Sequence, residues 1–179
     1  MRHVIVSREY PPANYPAGGI GTYVANIANL LAARGDTVHV IAERWAGAPL
    51  HHEVRADGHL FVHRLGADDL PETGGDPALV QAQLRALRRT EFPAQWFGWS
   101  AAFLIERLLR EERIDTIEGQ EWEAPLYPYL LRRSLGLGPD APGQSPPVIV
   151  HLHSPTAFIH HYNGPPTLPA ALQAMTRME

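Results

Sequence analysis

Pro16-Ala17-Gly18-Gly19-Ile20-Gly21-Thr22-Tyr23-Val24 decides the fold, because it stands between a short apolar run and an amphipathic stretch. The run before it, His3-Val4-Ile5-Val6-Ser7, has the composition of a buried strand. After it, Ile20, Val24, Ile27, Ala28 and Leu31 recur on one face of a helix over residues 20–34, which Gly35 ends. Thr37-Val38-His39-Val40-Ile41-Ala42 is β-branched and mostly apolar, as expected of a second strand buried on both faces. Strand, helix and strand form a βαβ unit, which implies a parallel pair joined by a right-handed crossover.

The same alternation continues along the chain. Residues 60–65 read as a third strand. A loop with Gly74-Gly75 follows, then Asp76-Pro77 as N-cap and first helical residue of a helix running to about Thr90. From Pro93 a further helix reaches Arg113 and carries Trp96, Trp99, Phe103, Leu104 and Leu108 at helical spacing, which suits packing. Residues 114–118 give a fourth strand, 123–135 a helix, 136–147 a Gly/Pro-rich loop, 148–152 a fifth strand and 169–178 a last helix. The expected fold is α/β: an open, doubly wound, mainly parallel Rossmann-like sheet.

Ligands of such sheets sit at the carboxyl ends of the strands, near the point where strand order reverses. That rule gathers three loops: the one with Gly18, Gly19 and Gly21, residues 119–123 after the fourth strand, and residues 153–156 after the fifth. A helix start has unpartnered N–H groups and partial positive charge. No acid lies between Tyr10 and Asp36, so the glycine turn reads as an open anion cradle, with glycines that admit close approach and unusual backbone angles. Glycines in such turns also serve tight geometry alone.

Glu118-Gly119-Gln120-Glu121-Trp122-Glu123 offers carboxylates and an aromatic suited to a sugar or polyol. Equally, Glu121 and Glu123 suit the first turn of the following helix. His151 and His153 share a strand face. His153, last on its strand, is placed to hydrogen-bond a polar substrate, whereas His151 lies deeper, as a core histidine. With His160-His161 they suggest a metal, but carboxylate ligands are lacking nearby and zinc needs more.

Composition excludes several classes. The chain has 179 residues, 45% of them hydrophobic and 19% charged, which suits one folded domain rather than disorder. Fifteen basic and 19 acidic residues give a net charge of −4 with no basic stripe, arguing against nucleic acid. No segment reads as a signal peptide or membrane span, so membrane contact would be peripheral. Zero cysteines exclude disulfides and agree with a cytoplasmic protein.

Residues 16–24 with their helix, Arg34-Gly35-Asp36-Thr37-Val38-His39-Val40-Ile41, and His151-Leu152-His153-Ser154-Pro155 together resemble the N-terminal domain of family 4 glycosyltransferases, which have the two-domain GT-B fold. The likeness spans the chain nearly end to end. It implies transfer of a sugar from a nucleotide-sugar to a sugar-containing or polyol acceptor, with retention of configuration and no obligatory metal or other cofactor. It places Gly18 and Gly19 at the donor diphosphate and His153 beside the transferred sugar, as a catalytically important group. Loops around Tyr10 to Tyr15 and Gln120 to Glu123 would shape the acceptor site, with Tyr15, Gln120, Glu121, Trp122 and Ser154 as substrate-binding residues. The family's second Rossmann-like domain, with its acidic E-x7-E motif, has no counterpart in these residues, so residues 1–179 read as the acceptor-side half, inactive alone. A dinucleotide-binding oxidoreductase is the main alternative, with Glu43 as ribose-binding acid, but Val24 replaces the third glycine and ten residues precede Gly18. A non-enzymatic binding module on the same edge is another.

Overall fold

The computed structural model describes residues 1–13, 18–48, 52–66, 77–90, 92, 94–139, 145–153, 155–163 and 169–179. Six strands make one sheet: β1 (Arg2–Val6), β2 (Thr37–Glu43), β3 (His52–Arg55), β4 (Leu60–Leu65), β5 (Thr116–Gln120) and β6 (Val148–His151). Their spatial order is β3-β4-β2-β1-β5-β6. All neighbours are parallel except the β3–β4 pair. Six helices are described: α1 (Gly19–Ala33), α2 (Pro77–Leu87), α3 (Gln95–Glu111), α4 (Tyr127–Ser134), α5 (Thr156–Asn163) and α6 (Ala170–Met178). This is an open, mainly parallel, Rossmann-like α/β sheet, as the βαβ reading expected.

The period-2 rule explains how one strand serves two cores. Val4 and Val6 of β1 pack with Phe97, Ala101 and Ile105 of α3, while Ile5 faces Val24 and Ala28 of α1. β2 is buried from Val38 to Ala42, as its apolar run requires. Gly35, at φ +88, ends α1. Its N–H reaches Ala32 O and the Asp36 N–H reaches Leu31 O, the paired bonds of a Schellman stop.

Gly119 is dictated by packing. A Cβ there would lie 2.5 Å from Leu126, so the bare β5 backbone lets the chain entering α4 close onto the sheet. Gly98 of α3 admits Pro128 in the same way, at 3.1 Å.

Four expectations are corrected. β3 was not foreseen: His52-Glu53-Val54-Arg55 contains one apolar residue, so neither alternation nor hydrophobicity marks this antiparallel edge strand. The helix expected from residue 123 begins at Tyr127, because Glu123 and Ala124 take φ +63 and +46 and the next residue is Pro125. α5 follows β6 where only a loop was read. Of the aromatics expected to pack along α3, Trp96 is buried, but Trp99 and Phe103 line an open groove of about 490 Å³ with Val80, Leu84 and Leu87. The Asp76 cap falls outside the described residues.

Candidate functional site

The order β2-β1-β5 puts the reversal of strand order between β1 and β5, and the crevice at their carboxyl ends is where a ligand is expected. Ser7, Arg8 and Glu9 leave β1 on one side of it, and Gln120, Trp122 and Glu123 leave β5 on the other. With Ile20 and Pro125 these residues line a small cavity at the mouth of α1.

Gly18 is the N-cap of α1, with no side-chain cap and no acid in the first turn. Its φ of −73° is available to any residue, so the expectation of special backbone angles fails. Space is what matters. A Cβ at Gly18 would meet Glu9 Oε2 at 2.9 Å, whereas one at Gly19 would meet nothing within 4 Å. The cradle is therefore open at Gly19 but shared at Gly18 with a carboxylate. Glu9 lies just outside the acid-free stretch in sequence and returns to the helix mouth in space, so the reading of a cradle free of acid is corrected. Gly21 is buried within α1.

Gln120 brings unmet hydrogen-bonding demand to this crevice. Its residue is 3% exposed, and neither amide atom has a hydrogen-bond partner. Each such buried atom costs about 1–3 kcal/mol until something satisfies it.

The acids of residues 118–123 are held by the protein. Glu118 Oε1 accepts from the Tyr23 hydroxyl at 3.0 Å and lies 3.7 Å from His151 Nδ1. Glu121, 1% exposed, accepts the His153 backbone N–H at 2.7 Å, and its own N–H bonds His151 O. Glu123 takes Arg8 Nη1 at 2.5 Å. Burial raises its pKa against the opposing pull of Arg8. None of these acids sits in a helical first turn, so that reading is corrected. Trp122 packs toward Phe92, Ala94 and Met175 of the α6 contact. Glu43, the alternative ribose acid, is paired with Arg8 at 2.8 Å.

His153 stands two residues beyond the end of β6, not on the strand as expected. Its ring stacks on His151 at 4.5 Å, and Tyr23 meets both rings edge-on at 4.6 and 5.0 Å. The helix behind the glycine turn and the histidine loop thus converge on one rim. His153 Nε2 is buried without a partner. His151, expected in the core, has a side chain 40% exposed, because β6 is the edge strand among the described residues. Beside His153 opens a cleft of about 580 Å³, lined by Leu152, Pro155, Phe158, Ile159 and Tyr162. Tyr15 and Ser154 lie outside the described residues. Among the described residues no three metal-ligating side chains converge on one point.

To the helix mouth at the switch point and the contact of Tyr23 with His153 is added a match of the Glycosyltransferase Family 4 model to residues 17–178. The chain belongs to glycosyltransferase family 4. None of the curated proteins matches it. As a family 4 domain it is a glycosyltransferase module, acting on sugar donors and acceptors. No described helix is long and apolar enough to cross a membrane.

Sequence reasoning missed Arg8, Tyr23 and Glu9 as parts of this rim. The position of Tyr23 four residues after Gly19 puts it one turn deeper in α1, a spacing that could have flagged it.

Proposed function

We propose that this domain holds a nucleotide-sugar at the crevice between β1 and β5 and, with a second α/β domain carrying most of the nucleotide site, transfers the sugar with retention of configuration and without an obligatory metal. The donor diphosphate lies at Gly18 and Gly19, where the N–H groups of α1 supply charge-assisted donors. His153 faces the transferred sugar as the catalytically important group, offering Nε2 as donor or acceptor according to its tautomer. Gln120, Glu121 and Trp122, with Tyr15 and Ser154, shape the surrounding substrate site. The acceptor is a sugar-containing or polyol molecule, and the domain alone is inactive because the reacting groups need both cleft walls.

One observation carries this reading: the buried, unpartnered amide of Gln120 beside the mouth of α1. A hydroxyl-rich or phosphate-bearing ligand would satisfy it.

Titration with nucleoside diphosphates and, separately, with NAD tests the proposal. We expect a nucleoside diphosphate to bind and Gln120→Ala to weaken binding by about 1–2 kcal/mol, or roughly five- to thirtyfold. Tight binding of NAD with no response to any nucleoside diphosphate overturns it in favour of the oxidoreductase reading.

A further inference from the structure

Arg64 of β4 is 1% exposed, the largest side chain so deeply buried among the described residues, and it lies outside the crevice. Its guanidinium reaches across to the connection between β1 and α1. Nη1 donates to Tyr10 O at 2.7 Å and Pro12 O at 3.1 Å, and Nη2 donates to Pro11 O at 3.0 Å. Nε donates to Glu53 Oε1 at 3.0 Å, and Glu53 is also bound by Arg55. The plane is enclosed by the rings of Tyr10 and Trp45, 5.2 and 4.7 Å from Cζ.

The sequence makes this grip necessary. Pro11 and Pro12 have no N–H, so the segment cannot be anchored by its own backbone donors and offers only carbonyls. A planar fork with five donors suits three successive carbonyls and a carboxylate, whereas a lysine is a single point donor. Residues nearer β1 are fixed independently, by Ser7 N–H to Ile41 O and by Arg8 to Glu43 and Glu123. Glu9, between these two anchors, is the residue whose carboxylate meets Gly18.

We propose that Arg64 is a positioning residue for the glycine turn: by holding Tyr10, Pro11 and Pro12 it sets where the mouth of α1 stands over the crevice. The functional consequence rests on the donor reading above. A guanidinium buried under the sheet edge, more than forty positions away in sequence, thus governs diphosphate binding without touching the ligand.

The test uses Arg64→Lys, with Glu53→Gln as a milder variant should the lysine protein fail to fold. Glu53→Gln keeps an acceptor for Nε but removes the charge that neutralises the guanidinium. Amide resonances of Gly18, Gly19 and Gly21 are expected to move in either variant, while those of residues 117–119 in β5 stay in place. In the enzyme with both cleft walls, KM for the nucleotide-sugar should rise about tenfold with kcat changed less than about threefold, the pattern of lost uniform binding. A folded variant whose glycine resonances remain at their wild-type positions overturns the proposal. Wild-type protein that binds no nucleoside diphosphate overturns the donor reading instead, and the resonances still decide whether Arg64 holds the turn.

Discussion

The Tyr23 hydroxyl donates to Glu118 Oε1 at 3.0 Å, joining α1 to the end of β5 across the carboxyl edge of β1. The same ring supports both His151 and His153. Burial, followed by the hydrogen bond to Glu118 and its charge, pushes the Tyr23 pKa up to about 12. In the unfolded chain the phenol ionises near pH 10. Between about pH 10 and 12 the unfolded state therefore sheds a proton that the native state keeps, and stability falls as pH rises. Tyr23→Phe removes this contribution, at a loss of about 1 kcal/mol at pH 8 for the hydrogen bond. Urea unfolding at pH 8 and pH 11 should show the gap between wild type and variant narrowing at the higher pH. A constant gap would mean that the phenol is not held protonated.

On the face of the sheet that packs against α3, three imidazoles form a chain. His39 Nε2 lies 2.9 Å from Glu112 Oε1, His39 Nδ1 is 3.0 Å from His63 Nε2, and His63 Nδ1 is 3.2 Å from His52 Nδ1. With the His39 proton at Nε2 toward Glu112, His63 donates to His39 and accepts from His52, so one proton per ring suffices. Burial, then the His39, His52 and Arg107 charges, push the His63 pKa down to about 3. Burial also lowers that of His39, where Glu112 opposes and His52 and Arg2 assist. Below about pH 6.5 the unfolded state binds protons that the native state refuses, so stability falls as pH falls, by up to about 1.4 kcal/mol per unit for His63 until about pH 3. His63→Gln, which keeps a donor and an acceptor but does not titrate, should flatten the dependence between pH 6.5 and 4.5. Denaturation midpoints at four pH values check it; parallel slopes would exonerate His63.

Gly119→Ala should destabilise the domain by about 1–3 kcal/mol, because its Cβ would fall 2.5 Å from Leu126 in a packed interior. Thermal unfolding measures this directly. Pairing it with Leu126→Ala should recover part of the loss, since the smaller partner makes room. Failure of the pair to recover anything would show that the glycine serves the backbone rather than the packing.

How far the sequence reached follows from the kind of signal each feature leaves. β1, α1 and β2 were legible because period and composition agree and Gly35 marks the stop. β3 left no such trace, since a four-residue polar edge strand is held by its partner β4. The sheet rule pointed to the edge that holds the α1 mouth and the loop after β6, and Tyr23 of α1 touches His153 there. The fine structure of that edge was not foreseen, because Glu9, Arg8 and Tyr23 act through contacts over gaps of up to 130 positions, as between Tyr23 and His153, and Glu123 depends on a positive φ that no periodicity announces.

Glu9 is the sharpest case. Its carboxylate stands at Gly18, where the donor reading puts a diphosphate, so two anions would share one helix mouth. At about 4 Å, two unit charges near a protein surface repel by up to about 4 kcal/mol, reduced by solvent and by any swing of the side chain to about 1 kcal/mol. Glu9→Gln should thus bind nucleoside diphosphate about fivefold more tightly, with the gain shrinking as salt rises. Calorimetric titration with UDP, GDP and ADP at low and high ionic strength checks both halves. Weaker binding by the glutamine variant would mean instead that the carboxylate accepts a hydrogen bond from the ligand, most simply from a ribose or sugar hydroxyl, and that the phosphates lie further along, over Gly19.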